Sequence, residues 1–448
     1  MPPWRHHKPL MNTNRTIQRL VGSTLLLALS HTLAQDWPQW RGPNRDGRSA
    51  GFTAPATWPK ELTPKWKVTV GEGVATPALV GDRLYVFSRQ DGAEVTRCLD
   101  AASGKELWSD KYDSLGAEGP SSGFSGPRSS PTVADGKVVT LGIRGVLSCF
   151  DAASGKLLWR KEDFKGAWPR FFTASSPIVS GGLCIAQLGG PNNGGVVAYD
   201  LTTGNEKWRW TGDAPAYASP VLLTLDGVTY VVAETDTKIV ALGLADGKLA
   251  WETPFAVQGR GYNAATPIVD GQTLIYAGSG RGVTAVKVEK QGGALAAKEL
   301  WKNPDNSVQF DSPVLKDGFV YGLSAGNDLF CLNAQDGKTT WTAPLAAPAA
   351  TGAAAAPPAE PAAGGGRGGR GGGMRGGGGG FGSIADAGTV LMALTPASEL
   401  VVFEPNPKAY AEVARIKVAG TPSHAYPVVS GKRIFIKDQD SVALLAVP

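Results

Sequence analysis

Short segments in which apolar and polar residues alternate recur along most of the chain. Arg83–Phe87 and Lys137–Thr140 show the two-residue period of a half-buried strand. Between such segments a turn recurs in which a glycine follows four residues after the residue that opens the turn, as in 100–108 (DAASGKELW). Glycine supplies the positive φ angle that a short hairpin loop requires. The pattern therefore predicts an all-β chain built from hairpins.

The turn belongs to a longer repeat. Each copy opens on a small residue and proline, continues with a strand pair rich in Val and Leu, and closes on a tryptophan. The openings are Thr76-Pro77, Ser130-Pro131, Ser176-Pro177, Ser219-Pro220, Thr266-Pro267 and Ser312-Pro313, with degenerate copies at Ser383-Ile384 and Tyr426-Pro427. The closing tryptophans are Trp108, Trp159, Trp208, Trp251, Trp301 and Trp341, and Trp66 lies in the same setting before the first opening. Eight openings predict eight structural units.

The length of the unit indicates a β-propeller. When the lead-in 35–64 and the low-complexity stretch 345–382 are set aside, each unit has about 43 residues, the size of a four-stranded blade. The chain ends on Ser441–Leu445, a third strand without a fourth, and Lys65–Val70 is a fourth strand without the preceding three. We predict an eight-bladed β-propeller over 65–448, closed by pairing of these two strands, which leaves no open edge. A β-solenoid is the rival interpretation, but its repeats are usually shorter.

The first 34 residues have the features of a secretory signal peptide. Arg15 and Arg19 precede an apolar stretch, Leu20–Leu29, and the small residues Thr32 and Ala34 follow. We therefore expect cleavage near Ala34 and a periplasmic or secreted protein, with either Met1 or Met11 as the true start. No apolar run reaches the ~18 residues of a transmembrane helix.

Charge argues against nucleic-acid binding. The whole chain has 44 Lys and Arg against 39 Asp and Glu, and four of those basic residues lie within 1–34. The remainder is nearly neutral, so it lacks the basic footprint of a general nucleic-acid binder.

The stretch 345–382 is rich first in Ala and Pro and then in Gly and Arg. It cannot build a core, and we predict a disordered insertion whose possible contact with a polyanion is the weaker interpretation.

Cysteine and histidine usage limits the kinds of site that the chain can form. Cys98, Cys149 and Cys331 occupy one repeat position, and Ala198 and Ala241 occupy it in other units. A position that accepts Cys or Ala is a small buried core site, so we expect free buried thiols. Only His424 remains after 1–34 is removed, which excludes a histidine-cluster metal centre.

The repeated Asp-x-x-x-Gly-Lys-x-x-Trp resembles the pyrroloquinoline-quinone (PQQ) type propeller repeat. That family includes quinoprotein alcohol dehydrogenases and the propeller lipoprotein of the outer-membrane barrel-assembly machinery. The resemblance covers nearly all of 65–448 and implies a ring whose tryptophans pack between blades, but a fold does not fix an activity. The lead-in DWPQWRGPNRDG (36–47) resembles the start of exported, mostly uncharacterised members.

The chain departs from the dehydrogenases of this family. Those enzymes carry a pair of adjacent cysteines over the quinone, whereas the four cysteines here are isolated, and no Cys-x-x-Cys-His haem motif is present. These departures favour a protein that is not an enzyme and that needs no cofactor or metal.

Candidate site residues come from two sets of loops that share one face of a propeller. These loops precede the first strand of each blade or connect its second and third strands. The candidates are Arg128, Arg144, Tyr217, Tyr262, Asn263, Arg281, Gln309, Asp311 and His424. Aromatic and cationic groups together could hold a planar anionic ligand by stacking and Arg pairing. The alternative is that these are ordinary polar turns that bind water.

We therefore expect an exported, monomeric binding or interaction module of the cell envelope, with an envelope protein or a small anionic ligand as its partner. A polysaccharide-binding role cannot be separated from this one by sequence. The alternative is a dehydrogenase of alcohols or sugars that uses PQQ and calcium. In that case Asp311 would be the base and Asn263 a calcium ligand, with Arg128 or Arg281 pairing the quinone acids. His424 would then be either a proton carrier or a packed side chain.

Overall fold

A computed structural model describes residues 36–49, 51–257, 261–292, 294–345 and 381–448, all within one compact unit. The predicted signal peptide 1–34 and nearly all of the predicted insertion 345–382 lie outside these residues. The described residues form eight antiparallel sheets of four strands each, and their only helical element is a short 3-10 helix, Gly119–Phe124. The predicted all-β, eight-bladed propeller is confirmed.

The strands are numbered in chain order. Strand β1 (Pro64–Thr69) comes first in sequence but belongs to the last blade. Blade 1 is β2 (Ala78–Val80), β3 (Arg83–Gln90), β4 (Ala93–Asp100) and β5 (Glu106–Asp113); blade 2 is β6 (Thr132–Ala134), β7 (Lys137–Leu141), β8 (Leu147–Asp151) and β9 (Leu157–Lys161). Blade 3 is β10 (Ile178–Ser180), β11 (Leu183–Leu188), β12 (Gly195–Asp200) and β13 (Glu206–Trp210); blade 4 is β14 (Val221–Leu225), β15 (Val228–Glu234), β16 (Lys238–Gly243) and β17 (Leu249–Pro254).

The second half of the ring follows the same order. Blade 5 is β18 (Ile268–Asp270), β19 (Thr273–Gly278), β20 (Gly282–Gln291) and β21 (Ala294–Asn303); blade 6 is β22 (Val314–Lys316), β23 (Phe319–Leu323), β24 (Asp328–Asn333) and β25 (Thr339–Pro344). Blade 7 is β26 (Ser383–Asp386), β27 (Leu391–Leu394), β28 (Glu399–Phe403) and β29 (Glu412–Lys417). Blade 8 is β30 (Val428–Ser430), β31 (Arg433–Lys437) and β32 (Ser441–Ala446), completed by β1.

Burial follows the position of a strand within its blade. The middle strands are packed on both faces by neighbouring blades, and every residue of β11 is buried. The outermost strands are exposed over most of their length, as in β5. Middle strands consequently read as continuous apolar runs, while outer strands alternate.

Ring closure occurs where the sequence predicts it. Strand β1 pairs antiparallel with β32, with Trp66 opposite Leu444 and Val68 opposite Val442. The first and last ordered strands therefore share one sheet, and the ring has no unpaired seam at its ends.

The tryptophans pack between blades as the family resemblance implies. The Nε1 of Trp108 in blade 1 donates to the Ala152 carbonyl of blade 2 at 3.1 Å. The same bond joins Trp66 to Ala101, Trp159 to Leu201, Trp208 to Leu244 and Trp301 to Ala334. The four cysteines are free and buried, which confirms their expected role as small core residues.

Candidate functional site: an aromatic funnel

The loops that enter the first strands surround a cavity of about 200 Å³ at one end of the central channel. Its lining is dominated by aromatic side chains and by small residues of the strand openings. The lining residues include Trp40, Phe124, Arg128, Phe171, Tyr217, Tyr262, Phe310, Phe381 and His424. We call this cavity the aromatic funnel. A second cavity of about 290 Å³ adjoins it and shares Phe124 and His424.

The aromatic rings of the funnel form a continuous arc. Phe171 and Tyr262 have ring centroids 5.1 Å apart, and Tyr262 and Phe310 are 5.5 Å apart. Phe310 stacks on Phe381 at 4.1 Å, and Phe381 meets the edge of His424 at 5.3 Å. Aromatic pairs prefer such stacked and edge-on arrangements, so the arc presents a large rigid apolar surface.

Arg128 is the cation of the funnel, and it holds the funnel wall together. One terminal nitrogen of its guanidinium donates to the Phe171 carbonyl, and the other donates to the Phe124 carbonyl at 3.2 Å. Desolvation lowers the pKa of Arg128. The hydroxyl of Tyr217 accepts a hydrogen bond from the Phe171 amide at 3.0 Å. Arg128 and Tyr217 therefore position Phe171 from two sides.

The lead-in supplies the floor of the funnel. Trp40 lines the cavity, donates from Nε1 to Oγ1 of Thr266 at 2.8 Å and packs edge-on against Tyr426, with ring centroids 4.9 Å apart. The sequence predicts a lead-in over 35–64 and does not indicate a site residue within it. The available signal was the close spacing of two tryptophans and two arginines in 37–45.

Asn263 and Arg281 were predicted to face the funnel, but the structure places them behind its wall. The amide nitrogen of Asn263 donates to the carbonyls of Thr235 and Phe255, and its oxygen accepts from Arg281 at 2.6 Å. The guanidinium of Arg281 also covers the Phe255 ring at 3.7 Å. Buried main-chain carbonyls need donors, and these two side chains supply them.

Asp311 also lies away from the funnel. It is fully buried, one carboxylate oxygen accepts from the Leu323 amide at 2.9 Å, and burial raises its pKa to about 7.

Arg144 is used to hold a loop in place. Its guanidinium bonds the Leu115 carbonyl at 2.8 Å, pairs with Glu118 and covers the Trp168 ring at 4.8 Å.

Of the remaining candidates, Gln309 is half-buried and does not line the funnel, whereas His424 does. Burial lowers the pKa of His424 to about 4, which keeps the imidazole neutral near pH 7. Phe124 and Phe381 contact its ring edge-on. The His424 ring therefore packs against two aromatic rings of the funnel.

The residues predicted for a calcium–quinone site do not converge. Asn263 and Asp311 lie outside the funnel, and Arg128 and Arg281 already bond main-chain carbonyls. Among the residues that the structure describes, no group of three or more His, Cys, Asp or Glu side chains could hold a metal ion. Of the residues named for calcium and quinone, only Arg128 lines the funnel.

Fold and funnel together define a PQQ-like eight-bladed propeller with an aromatic cavity at one end of its channel. The family model described as "Outer membrane protein assembly factor BamB" matches residues 91–343, more than half of the chain, and the chain belongs to this family. The outer membrane protein assembly factor BamB of Burkholderia pseudomallei is 28% identical over 291 residues, which cover 62% of this chain and 68% of that protein.

Solved structures support the fold. BamB from Moraxella catarrhalis aligns with a TM-score of 0.60 at 15% identity, over 86% of this chain and 100% of that one. The quinohemoprotein alcohol dehydrogenase from Comamonas testosteroni also aligns with a TM-score of 0.60, over 92% of this chain and 80% of that one. In sequence, the quinohemoprotein alcohol dehydrogenase of that organism is 31% identical over 143 residues, which are 30% of this chain and only 19% of the enzyme. Over the described residues, the structure contains no helix long and apolar enough to span a bilayer.

Proposed function

We propose that this chain is an exported binding propeller of the cell envelope that engages a protein partner through the aromatic funnel. The observation that carries the proposal is the continuous arc from Phe171 to His424, above a floor made by Trp40. Rigid aromatic side chains in a concave surface are typical of the anchors of protein interfaces.

The chemistry of the funnel favours an apolar or aromatic side chain as the part of the partner that enters it. Each terminal nitrogen of Arg128 bonds one main-chain carbonyl, so two of its five N–H donors are used by the wall. A small anionic ligand held by Arg pairing has less support from this arrangement. The relatives named as outer membrane protein assembly factors support an envelope protein as the partner.

A quinone-dependent dehydrogenase is the second candidate. Its support is the local similarity to quinohemoprotein alcohol dehydrogenases. Asn263, Asp311 and Arg281 do not line the funnel, and this places the dehydrogenase second, because a quinone site needs these groups on one ligand.

Photo-crosslinking in cells tests the proposed function. A photoreactive phenylalanine analogue replaces Phe310 in the funnel or, as control, Leu249, which is 44% exposed on the outermost strand of blade 4. We expect a discrete protein adduct from position 310 that is lost when Phe171→Ala and Tyr262→Ala are added, and none from position 249. Equal adducts from both positions, or none from the funnel, would refute the proposal. Thermal unfolding of each variant confirms that the ring is intact.

A further inference from the structure

The lead-in 36–49 crosses the channel and contacts all eight blades. Its contacts fall on or beside the first strand of each blade, the strand that lines the channel. In blade order the partners are Leu79, Val133, Ser176 with Pro177, Pro220, Thr266, Ser312 with Pro313, Asp386, and Val429. A connector to β1 would need none of these contacts.

Arg45 occupies a socket between blades 3 and 4. One terminal nitrogen donates to the carbonyls of Ser176 at 3.2 Å and Pro220 at 2.9 Å, and the other donates to the Pro177 carbonyl. Its Nε donates to Gln39 Oε1 at 2.9 Å within the lead-in itself. The residue is 2% exposed.

Arg41 occupies a second socket, formed by blades 6 and 8. One terminal nitrogen donates to the Pro313 carbonyl at 2.6 Å, and the other donates to the Ser312 carbonyl and to the Tyr426 hydroxyl, the latter at 2.9 Å. Arg41 is fully buried. The two guanidinium groups therefore brace separate walls of the channel.

The lead-in is folded into a compact turn that directs the side chains of Arg41 and Arg45 into their sockets. The Gly47 amide donates to the Arg41 carbonyl at 2.9 Å, and the Arg45 amide donates to the Gly42 carbonyl at 3.3 Å. Arg41 and Arg45 both have a φ of 59°, a conformation that side chains other than glycine rarely adopt. Such strained backbone persists where surrounding contacts fix it, and it is frequent at binding sites.

The sockets arise from the repeat itself. The Ser-Pro and Thr-Pro openings precede the paired part of the first strand, so their carbonyls point into the channel without a ladder partner. Buried carbonyls need donors, and a guanidinium offers five in a planar fork, whereas a lysine ammonium offers three around a point. Arg41 and Arg45 together meet nine acceptors, which two ammonium groups could not reach.

We infer that the channel is a peptide-binding site with two arginine sockets, specific for the Trp-Arg-Gly-Pro-Asn-Arg turn of 40–45 and filled in cis by the lead-in. The same turn can occupy the site when it is supplied as a separate peptide. Occupancy places Trp40 under the funnel, so the lead-in is a ligand of the ring that also completes the cavity. This inference does not depend on which partner enters the funnel.

A nicked protein tests this inference. A protease site replaces residues 54–57 of the otherwise unchanged chain, which is cleaved after folding. A fluorescent synthetic peptide of residues 35–53 is then exchanged into the nicked protein, and its binding is followed by anisotropy. We expect saturable binding that weakens about tenfold for each of the Arg41→Lys and Arg45→Lys peptides. The Arg48→Lys peptide is the control, because Arg48 is 54% exposed in its ion pair with Asp386, and it should bind within about twofold of the natural peptide.

An uncut chain provides a second readout. Limited trypsin digestion with mass spectrometry should show protection after residues 41 and 45 in the natural chain, and about tenfold faster cleavage there in the Arg41→Lys, Arg45→Lys double variant. Equal binding of all the peptides, no rebinding of the natural peptide, or unchanged cleavage in the double variant would each overturn the two-socket site.

Discussion

The glycine of each recurring turn meets the tryptophan of the preceding blade. Gly155 has a φ of 73°, and a Cβ at this position would lie 2.5 Å from the Trp108 ring. The same relation joins Gly104 to Trp66 and Gly204 to Trp159. Glycine is therefore required twice, for the backbone conformation and for the approach of the indole.

We predict that Gly155→Ala destabilises the protein more than Gly136→Ala. Gly136 has nearly the same φ, 70°, in the first hairpin of blade 2, but no atom lies within 4 Å of a Cβ placed there. Both variants carry the cost of a positive φ, and only Gly155→Ala adds the clash with Trp108, worth about 1–3 kcal/mol. Urea unfolding measures the difference. Equal losses would show that the indole does not constrain the turn.

Asp311 gives the fold a pH dependence. Burial raises its pKa from 3.8 to about 7, although the nearby Arg41 and the Leu323 amide act in the opposite direction. Between pH 4 and 7 the folded state then binds more protons than the unfolded state, so this group's contribution to stability falls as pH rises.

We predict that Asp311→Asn reduces the loss of stability between pH 5 and pH 8 by about 2–3 kcal/mol relative to the natural protein. The amide oxygen of Asn can still accept from Leu323. Glu94 and Glu234 are also buried with raised pKa values, but they titrate alike in both proteins and cancel in the comparison. Denaturant unfolding at the two pH values provides the measurement, and an unchanged slope with pH would contradict the assignment.

The roles of the residues in the repeat could be predicted from the sequence. The residues that line the funnel could be predicted only in part. Gly155 and Trp108 recur in a fixed phrase, so their roles follow from the pattern. Tyr262 and Asn263 are neighbours in sequence, yet one side chain lines the cavity and the other points behind its wall. Sequence placed both in the loop but could not give the direction of each side chain, because that depends on packing against the next blade.

Among the elements, β1 joins the two ends of the ring. The Val70 amide donates to the Asp440 carbonyl at 2.8 Å, and antiparallel hydrogen bonds recur every second residue, so Val68 donates to Val442. The orphan strands at both ends predicted this pairing. The lead-in escaped prediction because it is irregular, and its partners are carbonyls scattered over the whole ring.

We predict that Val68→Pro destabilises the ring by about 2–4 kcal/mol more than Val68→Ala, because proline removes the amide that bonds β32 whereas alanine only trims a half-buried side chain. Thermal unfolding followed by circular dichroism compares the two variants. Equal losses of stability in the two variants would mean that β1 stabilises the ring by side-chain packing and not by hydrogen bonds to β32.

At the scale of the whole molecule, two N-terminal segments complete the propeller. Strand β1 completes the last blade and closes the ring, and the lead-in fills the channel. Together they leave an aromatic funnel with a tryptophan floor. Of the groups expected for calcium and quinone, Asn263 and Arg281 bond main-chain carbonyls behind the funnel wall, and Asp311 accepts from the Leu323 amide. We propose that this funnel binds a protein partner, and we expect that it does not bind a quinone.

The most direct test adds PQQ and calcium to the purified protein and follows two signals, tryptophan fluorescence and the reduction of an electron-accepting dye with alcohols or sugars as substrates. Trp40 lies in the funnel floor, so a quinone bound there would quench it. We predict no saturable quenching and no substrate-dependent dye reduction. Saturable quenching together with dye reduction that is abolished in Arg128→Ala or Asp311→Ala would contradict the account and establish the dehydrogenase.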